Sequence, residues 1–185
     1  VHELKTDEFA DLYAEELKAE GGVISGEQFV DECQVESDLE LLLPATYVTG
    51  SSERMLLYRE LDSLTLDKDV ESFRNRLVDR FGPVPSETEE LLRIVPLRRL
   101  AARLGAEKVF LKGGRMSLFF ISNPESPYYQ SQAFGKVIAY MMKYTRRCDL
   151  REQNTRRSML VKDVKNVETA VGVLQEIVAM QVEEG

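Results

Sequence analysis

The sequence predicts an α+β domain: helices packed with a small antiparallel sheet, preceded by an N-terminal helical appendage. Three observations point there. Val70, Phe73, Leu77 and Phe81 recur at helical spacing in the first half. Two short apolar runs flank Gly113-Gly114, as in a tight hairpin. Val167, Val171, Leu174 and Val178 then return to the helical period. Helices gathered first, with the sheet and two long helices after them, are the mark of the α+β class.

Thr6 to Glu20 reads as an acidic helix with Phe9, Leu12, Tyr13 and Leu17 on one face, stopped by Gly21-Gly22. Residues 1–32 are thus expected to be a linker helix and connection, and residues 33–185 the domain proper. A strand is expected near 33 to 41, ended by Pro44. Ser51 and Ser52 are N-cap candidates for a helix to about Leu64, with Leu57, Leu61 and Leu64 inward and Tyr58 beside them. The next helix runs from about Asp67 to Phe81, where Gly82 and Pro83 stop it. Ser86-Glu87-Thr88-Glu89 reads as a capping box. The helix it opens carries Leu92, Val95, Leu100, Ala101 and Leu104, with Pro96 expected to kink or split it. Lys108 to Leu111 and Met116 to Ile121 are the hairpin strands. Tyr128 to Arg146 reads as a helix with Phe134, Ile138, Met141 and Met142 inward. Cys148 to Leu150 and Met159 to Val161 read as strands around a polar turn, and Asn166 as the cap of the last helix.

Composition narrows function by exclusion. The 185 residues suit one domain, and 43% hydrophobic content supports a real core. No apolar run approaches the roughly 20 residues of a membrane helix, and no signal peptide is visible, so a cytoplasmic location is expected. The start lacks an initiator Met, which suggests a domain of a longer protein. Cys33 and Cys148 have no metal-ligand spacing and are expected to be reduced, packed thiols. No phosphate-cradling loop exists, and the single histidine, His2, stands beside the terminus. No cofactor or metal site is therefore expected in this segment. Asp62, Asp67 and Asp69 fit a helix N-terminus better than a metal site.

The net charge of -8 is uneven. Residues 1–62 hold 16 acidic against 4 basic side chains, a balance of -12, and the remainder hold 16 against 20, a balance of +4. That asymmetry allows docking on a basic protein surface and argues against duplex binding by the whole chain. Arg98, Arg99 and Arg103 share one helix, and Arg146, Arg147, Arg151, Arg156 and Arg157 cluster later. These read as solvated faces or as a protein-binding surface. The alternative is an accessory domain that binds nucleic acid through the basic half, with Tyr128, Tyr129 and Tyr144 as stacking platforms.

Leu42-Leu43-Pro44, Tyr58-Arg59-Glu60-Leu61, Leu77 through Pro85 (Leu-Val-Asp-Arg-Phe-Gly-Pro-Val-Pro), Leu92 through Gly105 and Gly113-Gly114 stand in a recognisable order and spacing. Over residues 33 to 180 the chain resembles the C-terminal domain of the bacterial transcription-repair coupling factors, the Mfd family. Phe9 to Leu17 looks like the helix that joins the family's motor to this domain. The resemblance implies that the full-length protein is an ATP-dependent translocase on double-stranded DNA that displaces stalled RNA polymerase and recruits UvrA. It implies no enzyme in this segment, whose role is regulatory. The domain docks on the intramolecular UvrB-like module, masks UvrA recruitment and restrains the motor. In the family, acidic side chains just before Arg-Phe-Gly meet basic residues of the partner. Asp79 keeps the matching acid, whereas Arg76 stands where some relatives carry one. Arg80 and Phe81 complete the expected interaction residues; the alternative reading pairs Arg80 with Glu87 or Glu89 and places Phe81 in the core.

Overall fold

The computed structural model describes residues 29–182, so the expected helix Thr6 to Glu20 lies outside the described residues. β1 (Gln34–Ser37) is shorter than the expected strand. α1 (Ser51–Ser63), α2 (Asp67–Phe81) and α3 (Ser86–Arg103) follow. β2 (Ala106–Lys112) and β3 (Arg115–Phe120) form the hairpin, with Gly113 and Gly114 at φ 62° and 72°. Those angles are what a two-residue type I′ turn needs. A 3-10 turn (Pro127–Gln130) leads into α4 (Gln132–Lys143). β4 (Cys148–Gln153), β5 (Arg156–Val161) and α5 (Val167–Val178) complete an α+β fold.

The five strands lie in the order β1-β2-β3-β5-β4. The last four pair antiparallel, but β1 joins β2 in parallel, with Val35 opposite Val109. The sheet is therefore mixed. The reason is connection length: the chain crosses from β1 to β2 through three helices, the kind of long excursion a parallel pair requires.

Two hydrophobic cores form. The larger packs Leu97, Leu100 and Ala101 of α3, Val137 and Tyr140 of α4, and Leu174 and Ile177 of α5 against one sheet face. The smaller gathers Leu43, Val48, Leu57, Leu61, Phe73, Leu77, Leu92 and Val95. α3 belongs to both, and Pro96 sits between Val95 of one core and Leu97 of the other. The helix is not split at Pro96: α3 is one helix from Ser86 to Arg103. An interior proline costs about 3 kcal/mol. Packing on both sides of Pro96 holds the helix through it.

Local caps depart from expectation in informative ways. Gly50, rather than Ser51 or Ser52, occupies the cap of α1, and no side chain caps it. Ser86 is already helical behind Pro85; its hydroxyl donates to Glu87 (2.9 Å), while Glu89 is drawn to Arg74. The capping box therefore does not form, and the Pro85 carbonyl accepts from Thr88 and Glu89 instead. Asn166 does cap α5, its Oδ1 accepting from the Thr169 N–H at 2.7 Å. The helix expected over Tyr128 to Arg146 is divided at Ser131, whose hydroxyl caps α4 by accepting from the Phe134 N–H. Ala133, Val137 and Tyr140 become the buried face. Of the set expected inward, Phe134, Ile138 and Met141 are half-buried and Met142 is 69% exposed. Tyr140 explains the rotation, because its buried ring keeps a polar tip beside Arg147 (3.4 Å).

Cys33 and Cys148 are free and buried. Burial pushes the Cys33 thiol up to about 12, against the pull of nearby Arg98. Burial also raises the Cys148 thiol. Neither is the activated thiolate a nucleophile needs.

Candidate docking face on the α1–α2 helical hairpin

α1 and α2 form a helical hairpin over the smaller core, with Leu57 and Leu61 facing Phe73 and Leu77. Three side chains pin the preceding loop and the helix ends to it. The Tyr58 hydroxyl accepts from the Leu43 N–H at 2.7 Å. The Tyr47 hydroxyl donates to the Gly82 carbonyl at 2.8 Å, and the fully buried Thr88 hydroxyl donates to the Leu42 carbonyl at 2.9 Å. Each satisfies a backbone group that burial would otherwise strand. Leu42-Leu43 and Gly82 are thus held at fixed positions against the hairpin.

Along the outer seam the four interhelical charges pair off. Arg76 bonds Glu60 of α1 and Arg80 bonds Glu53, one helical turn apart on α2. The guanidinium of Arg80 also lies 4.9 Å from the centre of the Phe81 ring, and that of Arg76 lies 5.6 Å from Phe73. Glu53, rather than Glu87 or Glu89, is therefore the partner of Arg80, and Glu89 pairs with Arg74. Phe81 is half-buried and packs on Tyr47 with centroids 5.6 Å apart. It contributes to the core as well as to the surface.

Asp79 stands apart from this ladder. It is exposed and makes no ion pair or side-chain hydrogen bond among the described residues. Glu71, Asn75 and Val78 are exposed on the same helix at spacings that place them near its side of α2. On α1, Met55 and Leu56 are 57% and 64% exposed beside the ladder. The hairpin thus presents an acid with no partner among the described residues, next to neutralised arginines and exposed apolar side chains. Of the four expected residues, the fold brings Arg76, Arg80 and Phe81 together along the seam and leaves Asp79 facing outward.

The acids Asp62 and Asp67 are committed to α3. Asp67 holds Arg99 through two bonds at 2.6 and 3.1 Å, and Asp62 lies 3.9 Å from Arg98. These pairs tie the α1–α2 connection to α3; Asp67 and Asp69 also occupy the first turn of α2. Among the described residues no cluster of three or more His, Cys, Asp or Glu could hold a metal ion. No described helix is long and apolar enough to cross a membrane. The tyrosines proposed as stacking platforms are occupied. Tyr128 is fully buried with its hydroxyl on the Leu104 carbonyl, Tyr129 donates to the Ile121 carbonyl, and Tyr144 donates to Glu176. The roles of Glu53 and Glu60 escaped sequence reading. Their signal was available: acids at i and i+7 on one helix opposite arginines at i and i+4 on the next.

The comparisons agree with this architecture. A transcription-repair-coupling factor of Rickettsia bellii is 28% identical over 150 residues, covering 78% of this chain and 13% of that protein. That of Rickettsia prowazekii is 25% identical over 170 residues, covering 89% and 14%. That of Staphylococcus haemolyticus is 23% identical over 146 residues, covering 76% and 12%. The chain therefore spans about one eighth of the length of these relatives. A solved C-terminal domain of transcription-repair coupling factor superposes with a TM-score of 0.61 at 16% identity, over 80% of this chain and 93% of that one. It shares the fold. The TRCF domain family matches residues 37–131, the stretch that holds the α1–α2 hairpin, α3 and the β2–β3 hairpin, and the chain belongs to that family.

Proposed function

We propose that this domain is a regulatory, autoinhibitory protein-interaction element of a transcription-repair coupling factor. It docks through the α1–α2 hairpin on the protein's UvrB-like module and masks the surface that recruits UvrA. The full-length protein would be an ATP-driven translocase on double-stranded DNA that displaces stalled RNA polymerase, and this domain would restrain it. Catalysis and ATP binding belong, in this reading, to parts outside the chain. The single observation that supports the reading most is Asp79: an exposed carboxylate without a partner among the described residues, beside arginines already neutralised by Glu60 and Glu53. A basic partner surface would meet acid here, not a mixed field. Charge pairs of this kind contribute about 1–3 kcal/mol of coupling and chiefly set register and on-rate. A contact of that size can be outcompeted by an effector, as a releasable lock requires.

The test is a calorimetric titration of the chain against the separately purified UvrB-like module of the same protein. A dissociation constant of about tens of micromolar or tighter is expected. Asp79→Arg should weaken it about tenfold or more. Arg76→Glu, which frees Glu60 and adds an acid, should tighten it. No heat at about 100 μM, or an Asp79→Arg protein that binds like the native one, would refute the proposal.

A further inference from the structure

α3, α4 and α5 all pack on one face of the sheet, and among the described residues no helix covers the other. Strand alternation assigns that open face. The inward side chains of β2 and β3 are the core residues Val109, Leu111, Met116 and Leu118, so Lys108, Phe110, Lys112, Ser117 and Phe119 point outward. Ser158 and Arg156 of β5 share their side, as does Arg151 of β4.

Two aromatic rings occupy the middle of this surface. Phe110 and Phe119 meet edge to face, with centroids 5.3 Å apart and planes at 77°, and both stay partly exposed. Cations surround them. The ammonium groups of Lys108 and Lys112 lie 4.6 and 5.0 Å from the Phe110 centroid, and the Arg156 guanidinium lies 5.4 Å from that of Phe119. Glu36 faces both lysines, at 3.1 and 3.8 Å, and Asp149 faces Arg151 at 3.9 Å. Arg156 is the least committed of these cations. Its Nε is buried without an acceptor among the described residues, Glu107 lies 3.7 Å from its guanidinium, and Asp31 and Glu32 line the same cavity. The Arg156 side chain is 40% exposed, so its terminal nitrogens, rather than the buried Nε, are the donors an anionic oxygen could reach.

We propose that this open face binds single-stranded RNA, with Phe110 and Phe119 stacking bases and Lys108, Lys112 and Arg156 meeting the phosphates. Aromatic rings set in a cationic surface are the elements by which single strands are held, because every base offers a π-face and every nucleotide a phosphate. The ammonium and guanidinium groups now over the rings are the ones that would swing to the backbone as bases arrive. RNA is favoured by two hydroxyls: Ser117 stands directly opposite Phe110 across the β2–β3 pair, and Ser158 directly opposite Phe119 across β3–β5. Each ring thus has a neighbouring group that can both donate to and accept from a ribose 2′-OH. This surface is separate from the α1–α2 hairpin, and its test is independent of the docking proposal.

The experiment is fluorescence anisotropy of a labelled dodecauridylate with the full 185-residue chain at low and moderate salt. Micromolar binding that weakens several-fold between about 50 and 200 mM salt is expected. Phe119→Leu keeps an apolar side chain and removes the ring, and Lys112→Ala changes an exposed position. With thermal melting by circular dichroism unchanged, the first should weaken binding about tenfold and the second a few-fold. The proposal is overturned by no binding at about 100 μM protein in low salt. It is equally overturned if both variants bind like the native chain, if oligothymidylate binds as tightly as the RNA, or if polyglutamate displaces the RNA at matched charge.

Discussion

Replacing Gly105 by alanine tests how the sheet core is closed. Gly105 ends α3 at φ +85°, a backbone conformation that costs a residue with a Cβ about 1–2 kcal/mol. A Cβ at this position would lie 2.1 Å from Cε1 and 2.4 Å from Cζ of Tyr128, inside van der Waals contact. The ring cannot step aside freely. It is fully buried, its hydroxyl is bonded to the Leu104 carbonyl, and it contacts Phe29, Tyr129 and Phe134 at centroid distances of 5.4, 5.1 and 5.5 Å. Displacing it loses a buried hydrogen bond, about 1–3 kcal/mol, and part of the aromatic contact energy. Gly105→Ala should therefore destabilise the domain by about 3–5 kcal/mol in urea titrations followed by circular dichroism. Gly114→Ala supplies the control. Its φ is +72°, but the nearest atom to an added Cβ is Lys165 Cγ at 3.7 Å, so only the backbone cost of about 1–2 kcal/mol remains. Gly172, inside α5 with nothing within 4 Å, should gain about 0.5–1 kcal/mol from alanine. Equal losses at 105 and 114 would refute the steric reasoning, whatever their absolute size.

The remaining predictions are smaller. Arg80→Ala should change stability by no more than about 1 kcal/mol, because both members of its pair with Glu53 reach solvent; a thermal melt that shifts by many degrees would contradict this. Asn166→Ala should cost about 1 kcal/mol in denaturant midpoint through loss of the α5 cap. Cys33 should resist thiol-reactive disulfide reagents near pH 8 in the native chain and react once the chain is unfolded. The same thiol sets a pH dependence. With its pKa raised from 9.0 to about 12 on folding, Cys33 stays protonated in both states below 9, so its contribution is fully present there. Between 9 and about 12 only the unfolded chain gives up the proton, and stability falls as pH rises, by at most about 1.4 kcal/mol per unit. Cys33→Ala should flatten that alkaline limb of the stability curve.

What was legible in the sequence was whatever short-range periodicity determines. The stripe Val70, Phe73, Leu77 and Phe81 yielded α2 with its bounds, and Gly113-Gly114 yielded the hairpin, since a two-residue turn with positive φ admits few alternatives. Features set by tertiary neighbours were not legible. Glu89 forms a plausible capping box until Arg74 of α2 is brought beside it. Pro96 breaks an isolated helix but not one clamped by two cores. The inward face of α4 was set by packing on the large core, which buries Ala133, Val137 and Tyr140, and its start by Ser131. On the α1–α2 hairpin, Asp79 follows from the family resemblance, while the ladder partners depend on α1 and α2 lying side by side. At the open sheet face, Phe110 and Phe119 are nine residues apart in the chain and looked like ordinary strand residues. Only the register of β2 on β3, and the placing of every sheet-packed helix on one side, turned them into a pair.

The two surfaces gain a physical relationship from α3. Its first half, with Leu92 and Val95, closes the small core beneath the α1–α2 hairpin; its second half, with Leu97, Leu100 and Ala101, closes the large core beneath the sheet. The hairpin is tied to that helix by Asp67–Arg99, and the start of α5 is tied to it by Glu90, whose carboxylate accepts from the Val167 and Glu168 N–H groups at 2.7 and 3.0 Å. Because α3 passes through Pro96 unbroken, one helix packs against both the hairpin and the sheet. A change that loosens the small core disorders the hairpin without unpacking the sheet, since the two cores have no buried side chain in common. A change that breaks α3 at its middle would instead release the orientation of one surface relative to the other. Pro96 thus stands where α3 passes from the small core to the large one, and the Asp67–Arg99 pair joins the α1–α2 hairpin to the helix beyond it.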